Sequence, residues 1–298
     1  MKAERGIKYR LELLGHQIFY IWLKCFGYNA SIWLLYFVTG CYCLFSADIH
    51  RRTRPYLERM FPGRRSPVYW WLTYRLCCNF GTVLVQRAWV GICRDAVIES
   101  DFPGSKRMFD LMRTGRGVII LNAHIGNWQM ALSLLTESPV QINAHMRYDE
   151  EAAAKHWFDL QDRPCPFNII RSDDTFGGML EASAALLNGE AIVMMGDRWN
   201  PGTRSAEVVF MGGKVRLPVS PYYLASATGA LIIVLFSACT GRRSYRVDIQ
   251  DVLDVPSDVK NDPKRLAEFA ERYARHLEEF VSRYPLQWYN FYDYWGSN

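Results

Sequence analysis

The chain has 298 residues, 50% hydrophobic and 22% charged, with 21 glycines and 13 prolines. That is enough for one large domain with a proper core, and it excludes disordered and collagen-like chains. Net charge is +5 but uneven: eleven Lys/Arg against four Asp/Glu put residues 1–65 at +7 and the remainder at −2, which argues against nucleic acid as a partner.

From Ala30 to Ala47 the sequence runs ASIWLLYFVTGCYCLFSA without a charge. As a helix it would span about 27 Å, just short of a hydrocarbon core. Ile18–Tyr28 is also apolar, broken only by Lys24, and Arg51, Arg52 and Arg54 follow. A spanning helix, a hairpin dipping into one leaflet and a helix packed on the soluble body all remain open. The rings of Tyr20, Trp22, Tyr28, Trp33, Tyr36 and Tyr42, which suit an interfacial depth, and the basic flanks favour membrane attachment. Residues 1–53 are therefore read as membrane-anchoring helices and 54–298 as the main folded domain. Within that domain residues 54–98 read as helical and aromatic.

From Gly117 onward short apolar runs alternate with helical patterns. Val118–Leu121, Val140–Ala144, Phe167–Ile170, Ala191–Met195, Leu231–Phe236 and Tyr245–Ile249 read as strands. Helices are expected at Trp128–Leu135, Glu150–Leu160, Met179–Leu187 and Tyr222–Ala227, with a hairpin around Gly212-Gly213. Asp262-Pro263 caps a last amphipathic helix carrying Leu266, Phe269, Ala270, Tyr273, Leu277, Phe280 and Val281. The alternation predicts an α/β fold, a mixed central sheet flanked by helices, with chemistry at the strand ends.

Eight cysteines form no CxxC pair and no Cys/His ligand spacing, so they read as small buried hydrophobes; no metal or cofactor is implied. No GxSxG elbow offers a nucleophile, and Phe210-Met-Gly-Gly-Lys214 lacks the ending of a phosphate-binding loop.

Two strand ends carry candidate chemistry. Asn122-Ala-His-Ile-Gly-Asn-Trp-Gln129 puts His124 just past a buried strand, with Gly126-Asn127 opening a helix whose amides could hold an anion. A structural loop histidine stays open beside a catalytic one. Gly196-Asp197-Arg198 follows a second strand. If the two strands are parallel neighbours, Asp197 can orient the imidazole, and Arg198 can bind an oxyanion or phosphate. A plain turn with a local ion pair explains the same triplet. Arg147 and Arg171, each just past a strand, are phosphate or carboxylate clamps or solvated surface residues. The C-terminal rings of Trp288, Tyr289, Phe291 and Tyr292 read as closing the core.

Together these segments resemble the lysophospholipid-acyltransferase superfamily, in particular its bacterial branch containing the late acyltransferases of lipid A biosynthesis. The likeness is carried by the N-terminal apolar helix, His124-Ile-Gly-Asn-Trp128, Arg171 before a Gly-Gly helix, and Gly196-Asp197-Arg198. Val209-Phe-Met-Gly-Gly213, Leu217-Pro-Val-Ser-Pro221 and Tyr284-Pro-Leu-Gln-Trp288 extend it over nearly the whole chain. The resemblance implies a glycerolipid-acyltransferase-like sandwich and acyl transfer from a thioester, on acyl carrier protein or coenzyme A, to a lipid or glycolipid acceptor. It further implies His124 as general base, substrate contacts from Gly126, Asn127, Arg147, Arg171 and Arg198, and a place at the bacterial inner membrane with the catalytic domain on the cytoplasmic side. One departure stands out: the family has Asp or Glu five positions after the histidine, where this chain has Gln129. Asp197 is expected to supply the missing carboxylate and Gln129 only to position the ring. A weakened or inactive lipid-binding homologue is the alternative.

Overall fold

The structure, a computed structural model, describes residues 7–93, 95–149, 155–161, 165–173 and 175–296. Its first part is helical: α1 (Ile7–Phe45), α2 (Ala47–Met60) and α3 (Ser66–Ile92). The 39-residue α1 is broken at Gly27, whose φ of 76° only glycine adopts readily. It packs on α3 where Gly81 admits Leu35: a Cβ there would lie 2.4 Å from the leucine methyl. Leu23 and Tyr28 are buried in this seam, while Ile21, Phe26, Trp33, Phe37 and Phe45 point outward. α1 is the one described helix long and apolar enough to cross a membrane. α2 runs unbroken across residue 53, and its Tyr56 and Leu57 enter the main core.

The rest folds around a seven-stranded sheet in the order β1-β9-β8-β2-β5-β3-β4. The strands are β1 (Glu99–Asp101), β2 (Val118–Asn122), β3 (Ile142–Met146), β4 (Asn168–Arg171), β5 (Ala191–Met195), β8 (Leu231–Gly241) and β9 (Ser244–Asp254). β8, β2, β5, β3 and β4 are mutually parallel and β9 runs antiparallel to β8, so the sheet is mixed as expected. β2 is wholly buried because both its faces are covered, which is why it is apolar at consecutive positions. Ile119 and Leu121 join the larger core cluster and Val118 and Ile120 the smaller one.

Short helices α4 (Ser105–Met112), α5 (Trp128–Ser133) and α6 (Trp157–Leu160) interleave with the strands; Met108, Met112, Met130, Trp157 and Phe158 share the smaller cluster. The larger cluster is packed by α7 (Met179–Leu187), α8 (Ser220–Thr228), α9 (Pro263–Arg283) and the hairpin of β6 (Ser205–Phe210) with β7 (Gly213–Pro218). α9 starts where the Asp262 side chain accepts the Lys264 and Arg265 amides, and its buried stripe runs from Leu266 to Val281 as its spacing predicts.

Three elements differ from expectation. The expected helix over 150–160 is a single turn, Trp157–Leu160; positions 150–154 lie outside the described residues. β1 has no apolar signal, since all three of its residues are exposed and only pairing with β9 makes it a strand. The cysteines are not uniformly buried: Cys43 and Cys78 are, whereas Cys25 and Cys165 are exposed.

Candidate active site

Asn122 of β2 pairs with Met195 of β5, and the Gly196 amide continues the ladder by donating to the Asn122 carbonyl at 2.8 Å. The residues two beyond each strand end, His124 and Asp197, therefore face each other. The ring Nδ1 of His124 lies 2.9 Å from Asp197 Oδ1, and the His124 amide donates to Oδ2 at 3.0 Å. Because an ionised carboxylate only accepts, Nδ1 carries the proton and Nε2 is left with its lone pair. The imidazole keeps 22% of its surface exposed while Asp197 keeps none.

A buried carboxylate needs compensation. Burial alone would raise the Asp197 pKa; the facing imidazole, its hydrogen bonds and the charge of Arg198 outweigh that and hold the carboxyl well below the usual carboxylate range. Trp288 adds a further donor, its Nε1 reaching Oδ2 at 3.1 Å, and the Tyr294 hydroxyl donates to the Asp197 carbonyl. Sequence reasoning missed both partners. The available signal was chemical: a buried indole N–H must find an acceptor, and an aspartate closing an apolar strand must find donors.

The segment after α9 straps this site down. Ile125 and Trp288 form an antiparallel bridge, the Tyr289 amide donates to the His124 carbonyl at 2.9 Å, and the Gly126 amide donates to the Gln287 carbonyl at 2.8 Å. The strap is held in turn by Asn79 Nδ2 on the Leu286 carbonyl (2.8 Å) and by paired hydrogen bonds between the Gln287 amide group and the Cys239 backbone. Trp288 and Tyr289 are buried in the main core.

The remaining candidates separate. Gln129 does not reach the imidazole: no hydrogen bond joins it to His124 among the described residues. Its Oε1 accepts from Arg87 Nη1 at 3.2 Å, because the buried guanidinium of α3 needs an acceptor there. The Gly126 amide is committed to the strap, and φ of 55° with a notional Cβ 2.0 Å from the Ser237 carbonyl explains the glycine by close backbone approach. Asn127 is fully buried; its Nδ2 donates to Gln86 Oε1 at 2.7 Å and its Oδ1 caps α5. The anion-holding amides expected at Gly126-Asn127 thus lose the first of the pair to the strap.

Arg198 donates through Nη2 to the Tyr289 carbonyl at 2.7 Å and lies over the Tyr292 ring. Arg147 and Arg171 are exposed at the same edge of the sheet, just past β3 and at the end of β4, two and three strands along from β2, which at strand spacing puts those strand ends about 10 and 14 Å from the end of β2. Arg171 pairs with Asp173 at 3.3 Å, and the charge of Arg147 also acts on that aspartate. His145 lies on β3 with Nε2 2.7 Å from the Gly177 carbonyl, and burial pushes its pKa down.

Beside the imidazole, Trp128 packs edge-on at 5.4 Å between ring centres. It borders an apolar cavity of about 70 Å³ shared with Leu132, Met146, Trp157, Phe158 and Met195, at the ends of β3 and β5. The site thus joins a ring nitrogen left with its lone pair and a dedicated carboxylate, with a small apolar recess beyond Trp128.

No curated protein matches the chain in sequence. The solved 1-acyl-sn-glycerophosphate acyltransferase PlsC of Thermotoga maritima is similar at 14% identity over 90% of this chain and 97% of that one, with a TM-score of 0.38, too low to argue from. The model of the bacterial lipid A biosynthesis acyltransferase family matches residues 9–296, nearly the whole chain, and the protein belongs to that family.

Proposed function

We propose that this acyltransferase moves a fatty acyl group from a thioester, on acyl carrier protein or coenzyme A, to a hydroxyl or amine of a lipid or glycolipid acceptor. His124 Nε2 removes the acceptor proton as the oxygen or nitrogen attacks the thioester carbonyl. The tetrahedral intermediate then collapses, the thiolate leaves, and the imidazolium returns the proton to it. Asp197 fixes the tautomer and stabilises the imidazolium. Arg198, which among the described residues donates a single hydrogen bond, through Nη2, is the candidate for the developing oxyanion. Arg147 and Arg171, lateral to the pair, suit a phosphate or carboxylate on whichever substrate crosses that edge. Gln129, which faces Arg87, is assigned no part in the chemistry.

The observation that carries this reading is the 2.9 Å contact from His124 to a fully buried carboxylate. It supports an active enzyme over a binding-only homologue, because the chain keeps an acid for its histidine despite Gln129. The apolar α1 and its basic surroundings support residues 1–53 as the membrane anchor, while the cytoplasmic side of a bacterial inner membrane for the domain from residue 54 is supported by the family alone. Comparing lipid extracts of the host with wild-type and His124→Ala protein tests the proposal. One acylated lipid should disappear in the variant; an unchanged lipid profile overturns the assignment.

A further inference from the structure

A cavity of about 370 Å³ lies behind the strap, between α1 and α3 on one side and the β8–β9 turn on the other. That volume falls in the range of small-molecule sites. Arg75 and Arg242 stand in its lining, which among the described residues holds no carboxylate, so its charge selects an anion. The wall formed by Ile32 and Trp33 is apolar and merges with the outward face of α1, where Trp33 is 73% and Phe37 70% exposed. Asn79, Thr82 and Gln287 add polar side chains to the same lining.

The backbone of Arg242 is set firmly. Its carbonyl accepts from the Tyr28 hydroxyl at 2.6 Å and from Gln86 Nε2 at 3.0 Å. Gln86 is the same residue that takes the Asn127 side chain, and Gln287, also in the lining, takes the Gly126 amide. Through Gln287 the cavity therefore backs onto the C-terminal end of the loop that carries His124.

We propose that this cavity is a second lipid site, separate from the acyl-transfer centre, which holds the phosphate headgroup of an anionic phospholipid while its chains lie along α1. Arg75 and Arg242 meet the phosphate, and the apolar wall takes the first part of the chains. The proposal rests on the reading of α1 as membrane-facing and not on the role of His124.

The test is lipid retention by the full-length protein in non-ionic detergent, read by native mass spectrometry with phosphatidylglycerol and phosphatidylcholine as probes. Wild type should retain one phosphatidylglycerol and hold phosphatidylcholine at least about tenfold more weakly. Arg75→Gln with Arg242→Gln should lose that preference without a change in melting temperature, since both side chains are exposed. Thr82→Phe, which narrows the cavity and leaves both arginines, should also reduce retention. Equal retention of the two lipids overturns the proposal, as does undiminished binding by either variant, or binding of free glycerol phosphate as tight as that of the lipid. His124→Ala should retain phosphatidylglycerol like wild type; its effect on product formation reports on the acyl-transfer reading alone.

Discussion

Asp197 grips His124 twice, one oxygen on the ring Nδ1 at 2.9 Å and the other on the backbone amide at 3.0 Å. Orientation of the imidazole and placement of the loop beneath it thus depend on one buried side chain. Asp197→Asn removes the charge and lets the ring choose the wrong tautomer. Turnover should fall about 10³–10⁴-fold with KM little changed. Thiol release from a thioester donor measures it, and a loss of only a few-fold would remove Asp197 from the mechanism.

Trp288→Phe keeps an aromatic ring packed edge-to-face with Tyr56 and Phe210 but deletes a donor to the carboxylate. One hydrogen bond of about 1 kcal/mol corresponds to a roughly fivefold loss of turnover. The carboxyl pKa, held low in the folded state, should rise. Stability that comes from such a depressed acid is present above the ordinary carboxylate range and is lost as pH falls through the folded value. The variant should therefore unfold at a higher pH on acid titration followed by circular dichroism. An unshifted titration with unchanged turnover would show that the indole only packs.

Gln129 separates two accounts of the histidine. Gln129→Glu places an acid beside the buried Arg87, not beside the ring, so turnover should stay within a few-fold of wild type while the melting temperature rises. Gln129→Ala strips the guanidinium of its acceptor at a cost of about 1–3 kcal/mol in stability, again with kcat largely kept. A Gln129→Ala enzyme that is stable but inactive would return Gln129 to the catalytic machinery.

Gly126 and Gly229 both have positive φ, at 55° and 73°, yet a methyl group would meet the Ser237 carbonyl at 2.0 Å in the first case and open space in the second. Gly229→Ala should cost about 1 kcal/mol, the ordinary penalty for that backbone region. Gly126→Ala must push β8 away from the loop and should fail to accumulate as folded protein or lose activity entirely. Thermal melts of the purified variants compare the two.

The strands were legible in the sequence because parallel, doubly covered strands such as Val118–Leu121 and Ala191–Met195 are apolar at every position. α9 was legible through its cap and its stripe. β1 was not, since its Glu99-Ser-Asp101 carries no pattern and depends on a partner more than a hundred residues away. At the site, His124 and Asp197 were readable as strand-end residues, and pairing them needed only that the strands be parallel neighbours. Gln129 misled because sequence gives its place on α5 but not Arg87 on α3, a buried cation with a stronger claim on its oxygen. Trp288 was read as packing, which is half of what it does; the other half is a hydrogen bond that composition does not reveal.

The register of Asn122 on Met195 has a consequence for divergence within such a fold. Both members of the pair are hung directly from neighbouring rails, so the long excursion that leaves one rail and returns on the next supplies none of their alignment. Insertions or rewrites around α6 and β4 would reshape the rim against which an incoming acceptor leans, while the reacting nitrogen kept its aim.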